Sequence, residues 1–128
     1  MFGTYYPHGN VTFRNVIGAE PLHDSIHPKG EHGFGPLFSN DEGGRVTFTG
    51  SLLSHFACRA PLAESTEFVM VNNLIYDRIY FATQLRNQFG NPSKMTLEGN
   101  RYIDGPSILT PGFEWARNRA PILIENDP

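Results

Sequence analysis

Three histidines share one short stretch of this chain, His23, His27 and His32, with Asp24 and Glu31 beside them. Neutral imidazoles and carboxylates are ligands for a divalent metal such as zinc. The H-x3-H-x4-H spacing matches no standard metal signature. Pro28 and Gly30 forbid the helix that an HExxH site needs, and there is no H-x-H pair that a strand would present on one face. His23, His27 and His32 are therefore candidate metal ligands or a pH-sensitive contact, and otherwise ordinary loop histidines. No cofactor is expected.

The other chemistry-bearing groups read in much the same way. His55 and Cys58 are three residues apart, and in a strand they point to opposite faces, so a Cys–His nucleophile is not expected. Asp41, Glu42, Asp77 and Asp104 offer carboxylates for acid and base work. Asp41-Glu42 precedes Gly43-Gly44 and Asp104 precedes Gly105, which is turn chemistry. Gly33-Phe34-Gly35 has the G-x-G of a phosphate loop without a strand before it or a helix after it. Phe113, Trp115, Arg117 and Arg119 have the character of a base-stacking strip. At a net charge of -3 they read better as the edge of a protein interface. No catalytic residue is expected.

The elements that must hold these groups come from one domain, residues 1–128, which is long enough for one core. Cys58 is the only cysteine, so no internal disulfide forms. No export segment or long apolar run is present, and the expectation is a soluble protein made in the cytoplasm, with no membrane or direct nucleic-acid partner. Eight Arg accompany only two Lys, a bias shared by protein interfaces and by genomic base composition.

Residues 1–44 hold eight Gly and four Pro and read as an N-terminal arm followed by loops, with 45–128 as the core. Aromatic residues run through the arm, which suggests that it is pinned to a surface. Strands are expected at Val11–Ile17, at Arg45–Gly50 (whose Val46 and Phe48 share one face), at Ser51–Cys58 and at Glu67–Val71. After Asn72-Asn73 two readings compete: a hairpin returning through about Phe81, which is favoured, or a helix at about 74–89 capped by Asn73. Short pieces follow at Lys94–Glu98, Arg101–Ile103, Ser107–Leu109, Phe113–Ala116 and Ile122–Ile124, punctuated by turns, with no internal repeat recognised. The fold expectation is mainly β, a small sandwich or barrel of short strands with long Gly/Pro-rich loops. The alternative is α+β with the one helix.

These readings lead to a non-enzymatic structural subunit of a homo-oligomeric assembly, a virion component of the capsid-decorating, capsid-joining or tail kind. Its partners would be copies of itself and another structural protein. The residues expected to carry the contacts are Phe2, Tyr5, Tyr6, Phe34, Phe38, Trp115 and Arg117. The competing reading is a small β-barrel or sandwich enzyme or ligand-binding protein that uses the His23/His27/His32 loop as a metal or substrate site.

Overall fold

A computed structural model describes residues 9–24, 26–28, 30–39, 44–64, 67–87, 93–117 and 119–125, and the backbone of 3–4. Among these residues the chain forms thirteen short strands, and every strand pairing is parallel. The first sheet holds β1 (Gly3–Thr4), β4 (Leu37–Ser39), β7 (Leu62–Glu64), β10 (Thr83–Arg86) and β13 (Ile122–Glu125) in that order. The second holds β2 (Asn10–Arg14), β5 (Arg45–Thr49), β8 (Glu67–Val71) and β11 (Lys94–Glu98). The third holds β3 (Ile17–Ala19), β6 (Leu52–Ser54), β9 (Leu74–Tyr76) and β12 (Arg101–Ile103).

The chain visits the first, second and third sheets in turn and then starts again. Each coil lies on the one before it, which makes the architecture a parallel β-solenoid. The mainly-β expectation holds. A sandwich or barrel is not what the strands build, because they form three parallel sheets around one axis. The stretch after Asn72-Asn73 is neither hairpin nor helix. Asn72 takes a left-handed φ of 55° and turns the chain from the second sheet into the third, so β8 and β9 are consecutive but do not pair.

The same corner recurs in every coil. Asn15, Gly50, Asn72 and Gly99 occupy it with φ of 55°, 59°, 55° and 63°. Gly and Asn are the residues that enter this region most readily. Aligned on these corners, the sequence carries an internal repeat of eleven residues that its local pattern does not show: NVTFRNVIGAE, RVTFTGSLLSH, EFVMVNNLIYD and KMTLEGNRYID. Its copies are 35, 22 and 27 residues apart, as measured between corner residues Val16, Ser51, Asn73 and Asn100. Unequal insertions between the copies hide the period.

Alternation within each copy sends one set of side chains inward. Val46, Phe48, Phe68, Met70, Leu53 and Ile75 fill the centre and meet Phe38, Ala63 and Leu85 from the first sheet. Register stacks like on like along the axis: Phe13 over Phe48 over Met70 over Leu97. Phe38 is the hub, with its ring centroid 5.2 Å from Phe13, 6.2 Å from Phe48 and 6.0 Å from Phe68.

Polar side chains stack at the corner as well. The Ser51 N–H donates to Asn73 Oδ1 at 2.9 Å, and the Asn73 N–H donates to Asn100 Oδ1 at 3.0 Å. Asn73 Nδ2 donates to the Phe48 carbonyl and Asn100 Nδ2 to the Met70 carbonyl. One coil down, Ser51 Oγ accepts from the Val16 N–H at 3.0 Å. The ladder thus satisfies backbone groups that the bend takes out of the sheet hydrogen bonding.

Candidate functional site

The bend from the third sheet back to the first varies most in length. Its connections span 20–36, 55–61, 77–82 and 104–121, and they carry nearly all the chemistry-bearing residues of the sequence. Insertions of a repeat protein collect on one side in this way, often the binding side.

At this bend the final residues of three repeat copies, Glu20, His55 and Asp77, all have left-handed φ of 50°, 61° and 57°. The corner described above meets the same geometrical demand with Asn and Gly. Here acidic and imidazole side chains meet it, at about 1 kcal/mol or more each in backbone strain. Asp and His tolerate the region better than Glu does.

The stacking brings His55 between the other two. Its Nδ1 lies 3.0 Å from Asp77 Oδ2 and its Nε2 3.3 Å from Glu20 Oε1. Asp77 is enclosed and fully engaged: Oδ1 accepts the Ser107 N–H at 2.7 Å, and Oδ2 accepts the Ser107 hydroxyl at 2.8 Å. Gly105 permits that approach, because a Cβ there would stand 2.5 Å from Asp77 Oδ1. The buried Asp77 carboxylate thus holds the imidazole by Nδ1, and Nε2 lies on the side of the exposed Glu20. Tyr76 packs edge-on against the imidazole, 5.5 Å between centroids.

The three loop histidines do not converge. His23 Nδ1 accepts the Gly33 N–H at 3.1 Å and its Nε2 lies 3.2 Å from Glu31. His27 stacks on His32 at 4.0 Å, and His32 leans on Phe34 at 4.1 Å. Among the described residues no group of three or more donors is placed to share a metal ion.

The Cys58 thiol is pushed up to about 12, mainly by burial, with the Arg59 charge and a hydrogen bond to Tyr80 pulling the other way. Tyr80 is itself raised to about 12 by burial and by the neighbouring Cys58. His55 faces Asp77, so the pair His55 and Cys58 makes no nucleophile. Two outcomes follow. At pH 8 native Cys58 should react with iodoacetamide on the order of a thousand-fold more slowly than an unfolded thiol, because little thiolate is present. Both groups have folded values above their unfolded ones, so their stabilising effect is complete below about pH 9 and lost as pH rises toward 12. Urea midpoints measured from pH 8 to 11 should fall, and fall less in Cys58→Ala.

Phe2, Tyr5 and Tyr6 lie outside the described residues, as do Asp41 and Glu42. Phe38 is wholly enclosed in the core and serves the fold. Phe34 is half-buried under Arg59, whose guanidinium sits 4.7 Å above its ring. Trp115 is 47% exposed and ends an aromatic group with Tyr80, Phe81 and Phe113, capped by Arg119. Arg117 donates to the Ile108 and Leu109 carbonyls and so holds the short 3-10 helix Pro106–Leu109. Asp104 pairs with Arg78 at 3.0 Å.

The Glu20–His55–Asp77 column was the group that sequence reading missed. Its signal was the aligned last position of the repeat copies, E, H, D and D. Among the described residues, no helix is long and apolar enough to cross a membrane. Comparison with protein-family models, with curated proteins and with solved structures gave no match.

Proposed function

We propose that the chain is a non-enzymatic structural subunit that assembles with copies of itself, in a virion component of the capsid-decorating, capsid-joining or tail kind. The observation that supports this most is a difference between two outer faces of the solenoid. The second sheet turns Thr12, Thr47, Thr49 and Thr96 outward around Val69 and Val71, with an Arg45–Glu67 ion pair at 2.8 Å. That is an ordinary solvated β surface. The third sheet turns Ile17, Leu52 and Leu74 outward in one column that ends at Arg101, with Ile103 in the column beside it; Ile17 is 76% and Ile103 41% exposed. These residues line an open groove of about 690 Å³ that runs past all four corners. A row of exposed aliphatic side chains of this kind, rimmed by the polar corner and Arg101, suits a protein contact, and the commonest partner in a closed assembly is a second copy.

The test is mass in solution. Light scattering at micromolar concentration should give a multiple of the 14.3 kDa chain mass. Leu74→Glu, on an exposed position of β9, should shift that mass toward the monomer with the β circular dichroism unchanged. A folded wild-type monomer over the whole concentration range would reject the reading.

A further inference from the structure

We propose that the two ends of the solenoid bind each other, so that copies of the chain stack end to end, with β13 of one copy taking the place of β1 in the next. The occupant of each end is a second copy of this chain. The proposal shares with the reading above only the identity of the partner, and it rests on different residues.

Repeat proteins keep their core dry by ending in units with a polar outer face. Here the end coils keep the apolar pattern of the middle ones. Val46, Phe48, Phe68 and Met70 of the inner coils are all 0% exposed. Their register neighbours in the end coils, Val11 and Phe13 on one side and Met95 and Leu97 on the other, are only half-buried. At the second of these ends β13 overhangs, because the first sheet has five strands and the other two have four. Ile124 continues the inward column of Phe38, Ala63 and Leu85 and is 74% exposed. With Leu85, Met95 and Leu97 it lines a slot of about 370 Å³. β2, β3, β11 and β12 are sheet edges, paired on one side only among the described residues. Such edges are templates for another strand.

A second copy moved four coils along the axis continues every register. Its β2 lies on β11 and its β3 on β12. Val11 then meets Met95 and Phe13 meets Leu97, which closes the open core, and Arg14 meets the opposite charge of Glu98. Within one chain Arg14 and Glu98 are three strand steps apart. At about 4.8 Å per step that is about 14 Å, too far to pair. The corner continues as well. The N–H groups of Asn15, Gly50 and Asn72 donate to the Thr49, Val71 and Glu98 carbonyls of the next coil. Gly99 has the same place in the last coil, and its next acceptor is the Arg14 carbonyl of the second copy. In the first sheet the same shift brings β13 to the level of β1. β13 has four residues and β1 has two, Gly3 and Thr4, so β13 offers the longer pairing to β4. Ile124 takes the register position of Thr4, next to Phe38. Glu20 comes over Asp104, whose charge Arg78 holds. A contact between two unlike surfaces does not close on itself, so copies add in a line.

The experiment is sedimentation of the full chain from about 1 to 100 µM, with electron microscopy of the most concentrated sample. Mean mass should keep rising with concentration, and rods of one width should be seen. Ile124→Asp and Glu98→Arg should each weaken association at least about ten-fold. Exchanging the charges, Arg14→Glu with Glu98→Arg, should restore it to within about three-fold of wild type, because the two groups meet only between copies. All three side chains are exposed, so the melting temperature of each variant at low concentration should equal that of wild type and separate lost stacking from lost folding. Leu74→Glu, which tests the third sheet, should leave the growth in place. The proposal is overturned if the mass is constant over the range, if Ile124→Asp assembles as wild type does, or if the exchanged pair stays as weak as Glu98→Arg. It is also overturned if Leu74→Glu alone stops the growth. A fixed mass that Leu74→Glu lowers and Ile124→Asp leaves unchanged would remove the end contact and leave the third-sheet contact standing.

Discussion

Asn73→Ala should cost this protein about 3–5 kcal/mol of stability, since buried polar groups left without partners cost about 1–3 kcal/mol each. Asn73 is 3% exposed and occupies the middle of the corner ladder. Its loss leaves the Ser51 N–H and the Phe48 carbonyl without their partners and removes one bond to Asn100. Water cannot readily replace them at a position this enclosed. Asn100→Ala should cost less, because that residue is only half-buried. Urea unfolding of the two variants measures the difference. A cost for Asn73→Ala below about 1 kcal/mol would mean that the ladder decorates the solenoid and does not hold it together.

Arg78→Met is the second large effect, expected at about 2–4 kcal/mol, from the loss of charge-assisted hydrogen bonds worth about 1.5–3 kcal/mol when buried. Arg78 is 5% exposed although its charge partner Asp104 is half in water. The guanidinium donates to Asp104 at 3.0 Å, to the Tyr80 carbonyl and to the Arg119 carbonyl at 3.1 Å. It therefore ties the ends of the long 104–121 connection to the coil beneath it. Removing it should free this connection before the core fails. Amide exchange of Ser107, Ala116 and Arg119 should accelerate at least ten-fold while that of Phe48 and Met70 changes little. Equal acceleration everywhere would show that the connection is part of one cooperative unit. Arg78→Lys should not restore the wild-type pattern, since an ammonium cannot reach three acceptors in the plane of the guanidinium.

Both effects concern contacts that local pattern cannot reveal. The alternation of Val46 and Phe48 with three threonine or arginine positions was readable because inward and outward residues differ in type. Asn72-Asn73 was readable as a bend, because Asn tolerates positive φ. What that bend does was not readable. A chain that leaves one strand through a left-handed residue makes a hairpin if it comes back alongside that strand. It makes a solenoid corner if it enters a second sheet. The two differ only in which distant strand is hydrogen-bonded. His55 and Asp77 are 22 residues apart, and their contact is set by the number of residues in an irregular connection. That number is not constrained by any local preference.

Taken alone, the amino-acid order determined that this is a mainly β chain with alternating strands such as Arg45–Thr49, whose Val46 and Phe48 share one face, and with turns where Gly and Asn stand. Those are properties of each residue with its near neighbours, set by side-chain size and by accessible φ. Tertiary structure alone decided that the strands run parallel in three sheets and that an acid, an imidazole and a second acid stack in one column. Only then could Asp77 be buried beside His55. Register between coils is chosen by the summed packing of Phe38, Phe48, Phe68 and their neighbours along the axis. That sum exists only once the coils are stacked.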